Sequence, residues 1–222
     1  MGQKTKQVVL IRHAKSLAQQ TTPSVRRSSL LMRDVILSDE GREAMIKLGR
    51  SAAEDARFQS IDTVLCSPMT RAIETACHVY ADIDCRILII PELAEFAKTK
   101  RMAGYENTGR SYEELIHDEH LRSLPKFNDI DFTLIKEYEA NYGTDWWSSG
   151  YLPAKSEAQI ERLKKIIYAL PDNRIGVVGH CINMMKLLNT MRRIPNGTPI
   201  WCELRKSNGS LKLHRSLFVP KT

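Results

Sequence analysis

The pattern of apolar and polar positions predicts short buried strands that alternate with amphipathic helices. Four runs of β-branched and other apolar residues have the length of buried strands: Gln7 to Ile11, Ile61 to Cys66, Arg86 to Ile90 and Ile175 to Val178. Two further runs, at 201–204 and 210–214 around Asn208-Gly209, predict a closing hairpin. This alternation is typical of an α/β fold with a mostly parallel central sheet and helices on both faces.

Helix-start signals stand between these runs. Ser38 precedes two acidic residues, and apolar residues then recur at helical spacing up to Ala53. Ser67-Pro68 predicts a helix that begins directly after the second strand and continues through Tyr80. The fourth strand leads into a helix that we expect to end at about Arg193.

The stretch from about 93 to 155 interrupts the alternation. It carries a capping box at Ser111 to Glu114 and a second probable helix around Phe132 to Tyr142. We interpret it as a helical cap insertion over the strand ends, within a single domain that spans residues 1–222. A second capping box, Ser156 to Gln159, returns the chain to the core through a helix that ends near Leu170.

Three polar residues follow directly on strand ends, namely His13, Ser67 and His180. In mostly parallel sheets, ligands bind just beyond the carboxyl ends of the strands, so these residues could line one crevice. The guanidinium groups of Arg12 and Arg71 are suited to hold a phosphoryl group, because a planar fork makes two bonds to it.

A histidine nucleophile must be neutral at the attacking nitrogen, whereas a phosphate-binding histidine helps most when it is charged. Two histidines in one pocket can divide these roles between them. The leaving alkoxide then needs a proton from a carboxyl group over the pocket. Glu95 is placed to supply it, and Glu92, three residues earlier, is the alternative.

Six segments together resemble the histidine phosphatase superfamily, the phosphoglycerate-mutase-like proteins of branch 1. They occur in the family order: Leu10 to Ser16, Leu37 to Ala44, Cys66 to Ala76, Leu93 to Glu95, Pro153 to Glu157 and Val177 to His180. The resemblance implies a phosphate held by Arg12, Arg71 and His180. It also implies that His13 attacks phosphorus to form a phosphohistidine, and that Glu95 protonates the leaving group and later activates water. No metal and no organic cofactor is implied.

Several positions depart from the family pattern. Ala14 replaces the motif glycine, and Cys181 replaces the glycine after His180. Ser16 and Gln19 are possible substrate-binding residues, and mutases carry Asn at the position of Gln19. We therefore expect a phosphatase that hydrolyses a phosphate monoester. The alternatives are a phosphohistidine or phosphoprotein phosphatase, a mutase-type phosphoryl transferase and a non-catalytic anion-binding protein.

The net charge of +7 permits an anionic, phosphorylated substrate. Basic residues are spread along the chain without interleaved aromatics, so no nucleic-acid partner is expected. The apolar runs are too short for a signal peptide or a membrane span, and no membrane partner is expected. Five irregularly spaced cysteines indicate free thiols and a cytoplasmic protein without a metal site. The oligomeric state, monomer or homodimer, stays open.

The remaining candidates have more ordinary interpretations beside a functional one. His78 is expected in the core or on the surface, and His117 and His120 on a solvated helix face. Two groups lie inside the insertion. The basic residues Lys98, Lys100 and Arg101 form either a solvated face or a contact for a second anionic group. The pair Trp146-Trp147 either packs within the protein or stacks on a substrate.

Overall fold

A computed structural model describes residues 5–20, 22–24, 28, 32–95, 107–144, 157–207 and 209–216. Its strands are β1 (Thr5–Arg12), β2 (Thr63–Cys66), β3 (Arg86–Ile89), β4 (Ile130–Asp131), β5 (Arg174–Gly179), β6 (Pro199–Ser207) and β7 (Ser210–Arg215). They form one sheet in the order β4-β3-β2-β5-β1-β6-β7. Pairing is parallel from β4 to β1 and antiparallel from β1 to β7, so the expected fold class is confirmed.

The helices flank this sheet. In chain order they are α1 (Asp39–Ala53), α2 (Ala56–Gln59), α3 (Thr70–Val79), α4 (Tyr112–Ile116), α5 (Glu119–Arg122), α6 (Thr133–Tyr142), α7 (Glu157–Ala169) and α8 (Cys181–Leu187). Short 3₁₀ turns lie at Leu17–Gln19, Pro91–Leu93 and Phe127–Asp129. Within the described part of the chain, no helix combines the length and the hydropathy that a membrane crossing requires.

The core lies on both faces of the sheet because successive strand side chains point to opposite sides. On β1, Val9 and Ile11 pack into the cluster that also holds residues of α1 and α3. Val8 and Leu10 pack into the cluster that holds residues of α7 and α8. Each of these four side chains is fully buried, which stabilises the fold by about 1.5–3 kcal/mol per side chain. This two-sided burial explains why β1 is a continuous apolar run.

The predicted start of α3 was wrong by two residues. Ser67 and Pro68 precede the helix, which begins at Thr70 after Met69. The residue before a proline favours extended backbone, so Ser67 continues the direction of β2. The first helical N–H group, that of Thr70, is capped by the carboxylate of Asp34, 36 positions earlier in the chain. A cap from a distant segment cannot be recognised as a local pattern.

The predicted end of the helix after β5 was also wrong. We expected it to continue to about Arg193, but α8 ends at Leu187. Asn189 has a φ of 48°, the left-handed conformation that commonly terminates helices. The segment that follows is therefore free to return to the carboxyl end of β1.

The stretch expected to be helical contains both predicted helices: α4, which the capping box indicated, and α6. It also contributes α5 and the two-residue strand β4, which extends the sheet beside β3 and was not predicted. Its apolar residues Leu115, Leu121 and Ile135 belong to the main core. Residues 96–106 and 145–156 lie outside the described residues, and with them Lys98, Lys100, Arg101, Trp146, Trp147 and the helix-capping residue Ser156. The position of the insertion over the strand ends therefore stays a prediction.

Two buried carboxylates join this stretch to the core, and we call this region the insertion joint. Glu74 of α3 accepts hydrogen bonds from the Leu37 N–H at 2.6 Å and from Nε2 of His120 at 2.8 Å. Asp34 accepts from Thr70 and forms an ion pair with Arg110, whose Nε lies 3.7 Å away. His120, expected on a solvated face, is instead half-buried against Glu74.

Candidate active site

The carboxyl ends of three neighbouring strands place the expected residues in one pocket. Arg12 at the end of β1 lies opposite Gly179 of β5, and Cys66 at the end of β2 lies opposite Val178. His13 and His180 follow these ends, and both are almost completely buried. Their ring centroids are 5.1 Å apart. The structure thus brings the two histidines together as strand topology predicted.

A single hydrogen bond fixes the tautomer of His13. Its Nδ1 lies 2.7 Å from the carbonyl oxygen of Ala14. A carbonyl oxygen can only accept, so Nδ1 carries the hydrogen and the lone pair of the neutral ring lies on Nε2. The backbone is also anchored, because the His13 N–H donates to the carbonyl of Gly179 at 2.8 Å. Nε2 is therefore the nitrogen that can act as a nucleophile.

The surroundings of His13 keep its ring neutral. Burial comes first, followed by electrostatic interaction with Arg71, His180 and Arg12, and together they hold the pKa of His13 well below its ordinary value of 6.5. The hydrogen bond to the Ala14 carbonyl acts in the opposite direction. An uncharged imidazole has its nucleophilic lone pair available at neutral pH.

His180 contacts the pocket through both ring nitrogens. Nε2 lies 2.7 Å from Oγ of Ser67, and Nδ1 lies 3.2 Å from Oε2 of Glu95. Burial lowers the pKa of His180, and Arg71 and Arg12 act in the same direction, whereas Glu95 opposes them. His180 is thus disposed to be neutral, and the negative charge of a bound phosphate would favour its protonation.

Arg12 and Arg71 bring two guanidinium groups to the pocket that holds the two histidines, and both arginines are at least 95% buried. Nη1 of Arg12 donates to the carbonyl of Ile194 at 2.8 Å, while its buried Nε has no hydrogen-bond partner among the described residues. Nη2 of Arg71 donates to the side-chain oxygen of Asn107 at 2.8 Å. A buried donor without a partner is costly, which indicates that Arg12 is arranged for a bound anion.

The geometry separates the two candidate acids. Glu95 lies in the pocket, with Oε2 3.2 Å from His180 and 3.8 Å from Nη2 of Arg71. Glu92 faces away, because its Oε1 accepts a hydrogen bond from the Tyr138 hydroxyl at 2.5 Å and lies 3.9 Å from Arg162. Only Glu95 is placed to exchange a proton with a group bound between the histidines.

The possible substrate-binding residues lie near His13, since Gln19 and the His13 carbonyl both accept from the Asn196 amide. Ser16 is buried, and its N–H donates to Oε1 of Gln19 at 3.3 Å. Gln19 lines a cavity of about 360 Å³ together with Lys15 and Arg193. The lining of this cavity includes neither His13 nor His180, so the substrate-binding roles of Ser16 and Gln19 stay predictions.

The two motif departures are accommodated without strain. Non-glycine residues with positive φ among the described residues are Asp34, Lys126 and Asn189, so Ala14 has an ordinary backbone conformation. Its methyl group packs into the main core. Cys181 is half-buried, and it opens α8 directly after His180.

The same pocket has donors that could hold a cation. One ligand atom from each of His13, Glu95 and His180 lies within 4.8 Å of the others. Arg12 and Arg71, however, place two fixed positive charges beside these atoms, which opposes a cation and favours an anion. The charge balance therefore favours an anion over a cation in this pocket.

Comparison with known proteins agrees with this arrangement. The model of the histidine phosphatase superfamily, branch 1, matches residues 8–214. The chain belongs to the histidine phosphatase superfamily. This family region contains every site residue described above, from Arg12 to His180. No curated protein matches the chain significantly.

Solved structures of the superfamily share the fold. The alpha-ribazole phosphatase from Shigella flexneri is 19% identical, with a TM-score of 0.53 over 97% of this chain and 99% of that one. The ecdysone phosphate phosphatase from Bombix mori, in complex with tungstate, is 14% identical, with a TM-score of 0.58 over 98% and 95%. The phosphoserine phosphatase from Entamoeba histolytica is 16% identical, with a TM-score of 0.51 over 97% and 98%.

Sequence reasoning missed several residues that shape this histidine phosphatase site. Asn107 contacts Arg71 from the insertion, Thr75 accepts the Ala14 N–H at 3.0 Å, and Asn196 donates to the His13 carbonyl. Thr75 lies inside a recognised motif, and Asn196 precedes a glycine in a turn. Neither signal discloses a contact with the nucleophile, because each contact crosses more than 60 positions of the chain.

Proposed function

We propose that this chain is a phosphatase that hydrolyses a phosphate monoester through a phosphohistidine on His13, without a metal ion. The observation that carries the proposal is the resting state of His13. Its ring is held neutral with Nε2 as the free nitrogen, next to the guanidinium groups of Arg12 and Arg71. This is the arrangement that attack on a bound phosphoryl group requires.

In the proposed first step, Nε2 of His13 attacks phosphorus while the ester P–O bond breaks on the opposite side. Arg12, Arg71 and His180 stabilise the negative charge on the three phosphoryl oxygens. Glu95 gives its proton to the leaving alkoxide, so the alcohol departs neutral. The geometry supports this role because Glu95 alone of the two candidate acids contacts His180.

In the proposed second step, the Glu95 carboxylate takes a proton from a water molecule that attacks the phosphohistidine. The P–N bond breaks, inorganic phosphate is formed and His13 returns to its neutral state. Both steps use only side chains of this chain, so the proposal includes no metal ion and no organic cofactor. The substrate is anionic, and the five free cysteines support a cytoplasmic setting.

The direct test is hydrolysis of an aryl phosphate by the wild type and by His13→Ala, with and without a chelator. We expect the substitution to lower kcat by about 10³-fold or more, since no nucleophile remains, and the chelator to have no effect. Enzyme quenched during turnover in alkaline denaturant, in which the P–N bond survives, should contain phosphohistidine in the wild type alone. Unchanged hydrolysis by His13→Ala would overturn the proposal, and loss of activity with the chelator would overturn its metal-free part.

The acid is tested by leaving-group dependence, with a matched control three residues away. Glu95→Gln should lower kcat/KM for an alkyl phosphate by about 10²–10⁴-fold and kcat/KM for a nitrophenyl phosphate much less, because kcat/KM reports the first step and nitrophenolate leaves without a proton. Glu92→Gln should retain activity on both, because Glu92 faces Tyr138 and Arg162. The reverse result would assign the acid to Glu92.

A substrate panel separates the remaining functions. Small phosphate esters, phosphoproteins carrying phosphohistidine and a bisphosphate mutase assay should be compared with the same enzyme. Fast hydrolysis of small esters supports the proposal, and a preference for phosphoproteins would redirect it. Saturable vanadate binding without turnover of any substrate would identify a non-catalytic anion-binding protein.

A further inference from the structure

The backbone pairing of β1 stops just before the nucleophile. β1 pairs with β6 in antiparallel register as far as Ile11 opposite Pro199. Beyond this pair the regular ladder between the two strands ends. The carbonyl groups of Arg12 and His13 therefore need donors from outside the regular ladder.

The turn before β6 supplies both donors. Gly197 has a φ of +60°, the left-handed conformation that favours glycine, and its N–H donates to the Arg12 carbonyl at 2.9 Å. Nδ2 of Asn196 donates to the His13 carbonyl at 2.7 Å. The same amide lies 3.2 Å from Oε1 of Gln19. A side-chain amide thus satisfies the His13 carbonyl just beyond the end of the ladder.

The peptide group between His13 and Ala14 is consequently held at both ends. Asn196 donates to its carbonyl oxygen, and Oγ1 of Thr75 accepts its N–H at 3.0 Å. Thr75 is itself fixed, because its hydroxyl donates to the Arg71 carbonyl at 2.8 Å. Two side chains from distant segments therefore determine how this one peptide plane is oriented.

The orientation of this peptide matters for the nucleophile. It sets the backbone of His13, from which the ring projects, and the position of Ala14, whose carbonyl accepts the Nδ1 hydrogen. A small rotation would weaken that bond and move Nε2 off the line of attack. Misplacing a reacting atom by about 1 Å can cost about 10²-fold in rate.

We infer that Asn196 is a positioning residue, which holds the His13–Ala14 peptide so that Nε2 of His13 is aimed at phosphorus. The inference rests on the proposed function for its kinetic consequence. Its structural consequence, a single well-defined tautomer of His13, belongs to the resting protein. Asn196 acts through His13 and is not assigned a contact with the substrate.

The test compares Asn196→Ala and the nearly isosteric Asn196→Asp with the wild type on an aryl phosphate. Both variants lack the amide donor, and we expect kcat to fall about 10- to 100-fold. KM and vanadate inhibition should change by less than about threefold, because Arg12, Arg71 and His180 remain. Long-range ¹H–¹⁵N spectra of labelled protein should show His13 as the Nδ1–H tautomer in the wild type and a tautomer mixture in both variants.

Thr198→Ala is the matched control within the same turn. Its Oγ1 donates to the Asn196 carbonyl at 3.3 Å and does not contact His13, so kcat and the His13 spectrum should stay as in the wild type. An Asn196→Asp variant with wild-type kcat and spectrum would overturn the inference. A raised KM with unchanged kcat would overturn it too, since Asn196 would then be a binding residue. If the wild type hydrolyses no ester, the proposed function fails, and the spectra still decide the inference.

Discussion

The pocket and the insertion joint both bury ionisable side chains, but they differ in whether the protein itself supplies the partners of those side chains. In the joint, each buried carboxylate is surrounded by donors: Glu74 has the Leu37 N–H and His120, and Asp34 has Thr70 and Arg110. In the pocket, two guanidinium groups lie beside two histidines whose pKa values are lowered. The joint is satisfied within the protein, whereas the pocket retains an excess of positive charge.

This difference shows how buried charge indicates function. A carboxylate that is fully hydrogen-bonded stabilises the position of the segments it joins. A buried guanidinium nitrogen without a partner, as at Nε of Arg12, is costly until a ligand arrives. Substitutions in the pocket should therefore change activity more than stability, and substitutions in the joint should do the reverse.

The largest expected effect is the loss of a cation from the pocket. Arg71→Met should lower kcat/KM by about 10²–10³-fold, because phosphoryl charge loses one of its main stabilising groups. The free energy of unfolding should change by less than about 1 kcal/mol, since relief of repulsion from Arg12 offsets the lost bond to Asn107. Steady-state kinetics and urea unfolding measure the two quantities.

Arg57→Met is the control for that substitution. Arg57 pairs with Asp55 and lies over the ring of Trp201, away from the pocket. Its kcat/KM should stay within about twofold of the wild type. Equal losses of activity in both variants would remove the distinction between pocket and surface cations.

An intermediate effect is expected from Asp34 of the joint. Burial raises the pKa of Asp34 from 3.8 to about 6, against the opposing effect of Thr70, Arg71 and Arg110. The folded protein thus holds this proton more tightly than the unfolded chain does. The resulting stabilisation is present at low pH and is lost as the pH rises through about 6, a change of about 3 kcal/mol.

Asp34→Asn should abolish that pH dependence. An asparagine can still cap Thr70, and it tolerates the φ of 49° at this position. The difference in stability between the variant and the wild type should therefore shift by about 2–3 kcal/mol in favour of the variant between pH 4 and pH 7.5. Denaturant unfolding at both pH values measures this, with the exposed Asp39→Asn as control. A stability difference that is independent of pH would contradict the assignment.

The smallest effect is expected from His120. The hydrogen bond to Glu74 raises the pKa of His120 above 6.5, against partial burial. Its contribution is therefore fully present below pH 6.5 and declines as the pH rises through the raised pKa. His120→Ala should cost about 1 kcal/mol at pH 6, because solvent screens a half-exposed imidazole, and less at pH 9. His117→Ala is the control, because His117 forms an exposed ion pair with Glu113. If both substitutions lowered the free energy of unfolding equally, the bond from His120 to Glu74 would have no special role in stability.

Much of the site was predictable because strand ends and helix starts are written in local patterns. The apolar run up to Ile11 placed His13 at the end of a strand, and the run up to Val178 placed His180 beside it. The choice between Glu92 and Glu95 was not decided by pattern, because both follow β3 closely. The two residues are distinguished by their contacts with Tyr138 and with His180, which come from other segments.

The sequence by itself determined the fold class, the strand ends and the residue types that meet there. Hydrophobic periodicity and capping residues act over a few positions, so they can be read from the chain directly. Only the tertiary structure decided which nitrogen of His13 is free, that Asp34 caps α3 and that Asn196 donates to the His13 carbonyl. These properties depend on burial and on hydrogen bonds between distant segments, and neither has a local signal.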